Sequence, residues 1–219
     1  MSIGAVGHAV NPVLQSKVEG YFKGSGYKLD WQSDMDSWLW CHMALILPIC
    51  YVSYKEKCNL RTASDRQCKR ILDAAGEAME LLQKAGYMIL PEGDEQYYKP
   101  GAKYNLMHGM LLAMGKSKLG DLCATEHCRH AVTEMEALEK AWNEMRSSYP
   151  DQEMYAWDTL RYEMPDWEEL EQIYSEPNTG EAGPKQFSRK KALAAAGAIT
   201  AAAALTAAGV QVARAMKNR

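Results

Sequence analysis

The feature that most narrows the fold is a succession of apolar stripes at helical spacing between Met35 and Arg146, with few strand signals among them. Met35 to Tyr54 is almost wholly apolar and reads as a buried helix, with Pro48 expected to kink it or break it in two. Ser33 and Asp34 precede it as N-cap candidates. The next helix is capped by Thr62 or Ser64. It carries Cys68, Ile71, Leu72, Ala75, Met79 and Leu82 on one face, with Gly86 where a C′ residue belongs. Tyr87 to Leu90 forms a short apolar exit closed by Pro91, and a polar, Tyr-rich loop follows. A helical stretch is expected around Leu106, Met107, Met110, Leu111 and Met114. A long helix from about Lys116 to Arg146 comes next, its stripe including Leu119, Leu122, Cys123, Ala131, Met135, Leu138 and Trp142. The fold class is all-α. Only the first thirty residues add anything else: a helix carrying Val13, Leu14, Val18, Tyr21 and Phe22, a stop at Gly24-Ser25-Gly26, and a strand from Tyr27 to Trp31.

Charge divides the chain further. Residues 1–150 hold 17 basic and 18 acidic side chains, residues 151–181 one and ten, and residues 182–219 seven and none. The total of −3 gives no net basic face and excludes a general nucleic-acid binder. Six cysteines lie in periodic apolar stretches and read as reduced, small hydrophobes of a cytosolic body. No Gly-x-Gly-x-x-Gly opening a βαβ unit, no P-loop and no nucleophile elbow is present.

The segment Asp34-Met35-Asp36-Ser37-Trp38-Leu39-Trp40-Cys41-His42 resembles the junction of a ketopantoate reductase, where an acidic-hydrophobic stretch leads into Leu-Trp-x-Lys. Ser2-Ile3-Gly4 and Gly24-Ser25-Gly26-Tyr27 resemble the last pieces of that family's N-terminal domain. Thr133-Glu134-Met135-Glu136 resembles its Thr-Glu-Ile-Asp helix, and Gly86 to Pro91 its Gly, apolar, Pro segment. The resemblance covers residues 1–146. It implies an all-α domain similar to the C-terminal domain of 6-phosphogluconate dehydrogenase, with a short αβ remnant ahead of it. NADP is implied for the intact family, on an N-terminal Rossmann domain that this chain is expected to lack. The chain alone would bind no cofactor.

The family's residues map unevenly onto this sequence. The catalytic lysine that donates a proton falls on His42, two asparagines fall on Ile46 and Cys50, and a substrate-binding serine falls on Leu122. The glutamate is kept as Glu134. The resemblance thus implies His42 as proton donor and Glu134 as substrate ligand. By sequence His42 lies among apolar residues and is expected as a hydrogen-bonded core histidine. Cys123, His127, His130 and Glu134 follow one another at i, i+4, i+7 and i+11, so one continuous helix would place them on one face with Cys128 close by. His127 and His130 also lie in a polar stretch, Thr125 to His130, that reads more plainly as a solvated turn, and no metal site is assigned.

Four segments result. Residues 1–33 are the remnant of an N-terminal domain, and 34–150 the ketopantoate reductase-type helical domain. Residues 151–189 form an acidic linker or short helices, punctuated by Trp157, Leu160, Tyr162, Trp167, Leu170, Ile173 and Tyr174. Residues 190–219 form an apolar, basic-flanked tail helix. Its stretch 192–213 carries no charge among 22 residues, twelve of them alanine. A helix of that length spans about 33 Å, against ~30 Å of hydrocarbon. The expected function is a non-catalytic interaction module with a cytoplasmic body, anchored in a membrane through 192–213. Its docking surface would be the old cleft or residues 1–30. The alternative is the substrate-domain half of a split NADPH-dependent 2-keto acid reductase, completed by a separate Rossmann chain. A homo-oligomer is the other partner considered.

Overall fold

The structure, a computed structural model, describes residues 1–174. The tail helix at 190–219, its apolar stretch 192–213 and the second half of the acidic segment lie outside the described residues. The described part is mostly helical. Its elements are β1 (Ser2–Ile3), α1 (Pro12–Phe22), β2 (Asp30–Trp31), α2 (Met35–Lys55), α3 (Asp65–Lys84) and α4 (Ala102–Gly115), then α5 (Lys118–Gly120), α6 (Glu126–His130), α7 (Val132–Arg146), α8 (Tyr155–Glu163) and α9 (Trp167–Tyr174).

Local chemistry sets the boundaries of the central helices. Asp34 caps α2, its carboxylate accepting from the Ser37 N–H at 3.0 Å and the Ser37 hydroxyl at 2.6 Å. Pro48 sits inside α2 without dividing it, so of the two expectations, a kink or a break, the break does not occur. Ser64 and Gln67 form a reciprocal capping box at the start of α3. At its end Gly86 adopts φ 90°, the Gly86 N–H donates to the Gln83 carbonyl and the Tyr87 N–H to the Leu82 carbonyl. That is a Schellman closure, and it is why a glycine is needed there.

The packed core lies between α2, α3, α7 and α8. Trp142 of α7 stacks on Trp157 of α8 at 4.7 Å between centroids, and Tyr51 of α2 meets Trp157 edge-on at 5.6 Å. By length and composition α2 is apolar enough to cross a membrane, yet here its inner side supplies this core. The acidic segment is part of the same body. Glu77 of α3 caps α8, accepting from the Ala156 and Trp157 N–H groups at 2.9 and 3.0 Å. Glu163 pairs with Lys55 and Arg70, and Arg146 holds Asp158 in a two-pronged contact. The acidic run thus meets bases of the body itself.

The long helix expected from Lys116 to Arg146 is instead a broken chain of pieces: α5, a π-helical turn at Asp121–Thr125, α6, and α7. Two contacts explain this. A Cβ on Gly120 would collide with the Met114 carbonyl oxygen, so the chain folds back on α4 more closely than any other residue permits. Farther on, the Cys128 carbonyl accepts the Tyr54 hydroxyl at 2.8 Å and the Ala131 N–H at 3.4 Å, and Ala131 leaves helical geometry at φ −123°. A tertiary hydrogen bond ends α6 where the sequence alone would continue it.

The N-terminal piece is a small βαβ unit. β1 and β2 run parallel, Ser2 opposite Asp30 and Ile3 opposite Trp31, joined through α1. The strand is shorter than the expected Tyr27 to Trp31. The Gly7 N–H donates to Asp36 at 2.7 Å, and Gly4 lies against Gln32 and Met35, which seats the unit at the start of α2.

Candidate functional site

His42 is exposed, not buried. The run from Met35 to Tyr54 is covered on one side only at its N-terminal end, and Leu39, one turn before His42 on the same face, is 38% exposed. The imidazole finds its partner in Trp38, stacked at 5.0 Å between centroids with 17° between ring planes. The surrounding side chains desolvate it, and the charge of neighbouring His127 adds to the effect, so the His42 pKa is lowered from its ordinary value. Lowering leaves less imidazolium at neutral pH, the wrong direction for a group meant to hand over a proton.

Glu134 stands exposed in the first turn of α7, where the helix dipole favours a carboxylate. Among the described residues no hydrogen bond or ion pair joins it to His42. Ile46 is half-buried and packs on the core, and Leu122 is 42% exposed in the π-helical turn. Neither can orient a carboxylate or hydroxyl of a substrate. The structure therefore brings His42 to His127, not to Glu134. The surface around His42 offers ring stacking and apolar contact, and among the described residues no nucleophile and base lie there in hydrogen-bond reach of one another.

The four-residue face of Cys123, His127, His130 and Glu134 does not form. The π-helical turn shifts the phase before His127, and the break at Ala131 puts Glu134 on a different helix. His130 lies 3.7 Å from Glu126, and Cys128 points inward. Among the described residues no group of three or more histidine, cysteine or acidic side chains is placed to hold a metal ion.

Two concavities lie away from His42 and Glu134. One is an apolar niche lined by Ile49, Leu60, Cys68, Ile71, Leu111 and Met114. The other is an open groove of the βαβ unit, lined by Phe22, Tyr27, Leu29 and Trp31 beside Glu19 and Lys23. Around that groove the apolar surface is uncovered among the described residues. No residue of α1 is buried, and Val13, Leu14 and Tyr21 are 65, 57 and 85% exposed. The indole N–H of Trp31 is enclosed without a hydrogen-bond acceptor among the described residues.

Sequence reasoning missed two features. The stack of Trp38 on His42 was visible as an i, i+4 pair of rings. A contact between Cys50 and Cys128 had no sequence signal, since the two lie on separate helices and each looked like one more apolar position. Comparison with family models, curated proteins and solved structures finds no match to the chain.

Proposed function

We propose that the chain is a helical domain of ketopantoate reductase type, similar to the C-terminal domain of 6-phosphogluconate dehydrogenase. On this reading it is a non-catalytic interaction module that docks a sheet-bearing partner through its N-terminal βαβ unit. The observation that carries the reading is a parallel strand pair whose outer edges are both unpaired among the described residues, beside a helix that buries nothing. Parallel strands ordinarily lie inside larger sheets covered on both faces, and a two-stranded sheet is marginal by itself. The open edges are a template for added strands, and Val13, Leu14 and Tyr21 supply the apolar area beside them. Loss of the polar groups at Ile46, Cys50 and Leu122, with a lowered pKa at His42, supports the non-catalytic part. The anchor through 192–213 belongs to the same proposal and rests on sequence.

Affinity purification of the tagged full chain, beside a Val13→Asp/Leu14→Asp variant, tests the docking surface. A stoichiometric partner lost from the variant is expected, and equal recovery from both overturns it. Purified chain that oxidises NADPH with 2-keto acids unaided would overturn the non-catalytic part. Fractionation tests the anchor: full-length chain found wholly in the soluble fraction, like a chain cut at Pro184, removes it.

One observation favours a second reading. The open edge is a parallel one, the kind a Rossmann sheet continues, and Glu134 is accessible. In a split reductase NADPH would sit on the other chain and Glu134 would bind the 2-keto acid. Turnover on mixing the two chains, lost in Glu134→Gln, is expected there; no turnover on mixing excludes it.

A further inference from the structure

Six thiols are free among the described residues, and one pair of them is set apart. Cys50 of α2 and Cys128 of α6 face each other at 3.2 Å between sulfurs, and the Cys50 thiol also contacts the Met135 thioether at 3.3 Å. Cys50 is 3% exposed and Cys128 is fully buried. We propose that Cys50 and Cys128 are a thiol-oxidation site, a dithiol that closes to a disulfide and so pins the helix bearing His127 to the helix bearing His42.

The geometry asks for little movement. Two sulfurs already in van der Waals contact, on opposed helices, must approach by about 1.2 Å to reach bonding distance. Contact with Cys50 lowers the Cys128 pKa against the effect of its burial, and Cys128 is the member of the pair carried by the short helix α6, so it is the attacking thiol. Cys50 is held in the opposite state, its pKa raised well above the ordinary value by the bond to Cys128 and by burial. A peroxide serves as oxidant. The Cys128 thiolate attacks one peroxide oxygen, the O–O bond breaks, and the departing hydroxide takes a proton to become water. The resulting sulfenic acid is attacked by Cys50, the S–O bond breaks, and the second hydroxide leaves as water with the Cys50 proton. The two sulfurs give up two electrons and one peroxide becomes two waters.

Access to the buried pair runs through α6, which is five residues long and lies between a π-helical turn and the break at Ala131. A short helix bounded on both sides by irregular backbone is the kind of segment that opens locally at low cost. Cys58 does not compete on the same terms, because its thiol is engaged by Tyr174. Cys41 is occupied elsewhere, donating to the Met88 carbonyl at 3.4 Å.

The test is made on the folded full chain treated with a small excess of hydrogen peroxide, alkylated under denaturing conditions and digested with trypsin. The expected product joins the peptides 29–55 and 119–129, and fragmentation assigns the bond to Cys50 and Cys128 rather than to Cys41 or Cys123 in the same peptides. The titratable thiols fall from six to four and return with dithiothreitol. The melting temperature rises by about 5–10 °C, because the bond closes a long loop in the unfolded chain. Cys50→Ala abolishes the link and Cys58→Ala leaves it. Six thiols surviving in the folded chain, a bond to any other cysteine, or sulfinic acid at Cys128 without a bond each overturn the proposal.

Discussion

Two capped helices in this chain have opposite fates. α3 carries its apolar residues in one stripe, and Leu72, Ala75 and Leu82 are fully buried. α1 carries Val13, Leu14, Val18 and Tyr21, and buries none of its eleven residues. Both are well capped: Ser64 and Gln67 at α3, and Asn11 accepting from the Val13 N–H at 2.8 Å ahead of Pro12 at α1. The difference is not local. An isolated helix shorter than about 12–15 residues is marginal in water, so caps alone do not account for a stable α1. Helices of the body are held by tertiary packing, whereas the N-terminal unit presents apolar surface that no described residue covers. On the docking reading proposed above, a second body supplies the cover.

The largest predicted effect tests the body side of the contrast. Trp142 is fully buried, stacked on Trp157 and 6.0 Å from Trp40. Trp142→Ala should cost about 4 kcal/mol of unfolding free energy in a denaturant titration, the order found for deleted core aromatics. Tyr21→Ala, at a residue 85% exposed, should stay within about 0.5 kcal/mol. A Trp142→Ala variant as stable as the parent would mean that α7 and α8 are not packed as described.

Next in size is the polar joint that fastens the acidic segment. Glu139 is 7% exposed, accepts the Trp167 indole N–H at 2.6 Å and pairs with Arg161 at 2.7 Å, while Arg161 also lies over the Trp167 ring. Glu139→Ala leaves a guanidinium and an indole N–H without their acceptor and should cost about 3 kcal/mol. Glu139→Gln keeps one acceptor and should cost roughly half as much. If neither changes stability, residues 155–174 are a loosely attached linker and belong with the N-terminal unit in the comparison.

How much of this was legible follows from which interactions are local. α3 was readable end to end, because its cap, stripe and closing glycine lie within a few residues of one another. The all-α class followed from such stripes. The division of the stretch from Lys116 to Arg146 was not readable, because it depends on Tyr54 reaching the Cys128 carbonyl from another helix and on Gly120 meeting Met114 across a turn. The exposure of His42 was hidden for a related reason. An apolar run shows that a helix is buried somewhere, but not which of its faces stays open. The ion pairs of Glu163 and Asp158 with the body were likewise invisible, since charge counts cannot say which partners fold nearby.

Asp94 gives the third effect, one that pH can switch. It lies 5% exposed in the loop before α4, with Tyr97, Tyr98 and Cys41 around it, Glu95 beside it and Lys103 opposing. Burial raises its carboxyl from 3.8 to about 6. Between those values the folded state binds more protons than the unfolded chain, so stability falls as pH rises through that window. By pH 7 the loss is about 3 kcal/mol. Asp94→Asn should therefore be more stable than the parent above pH 6 and should show no such gain below pH 4. A gain that is flat from pH 3 to 8 would mean that Asp94 does not titrate as a buried acid.

The smallest effect is expected where the contrast matters most. Leu14 is 57% exposed on α1, and in the free chain it has little packing to lose. Leu14→Asp should shift the unfolding free energy by less than about 0.5 kcal/mol, or under about 2 °C in melting temperature. Its partner binding, by contrast, should be weakened at least tenfold. The two readouts separate the alternatives. A large loss of stability in the purified chain means that α1 is already covered, by this chain or by a second copy, and the exposed surface is not free. Unchanged stability with unchanged binding means that the partner approaches elsewhere, and the face around Trp38, His42 and His127 becomes the surface to probe.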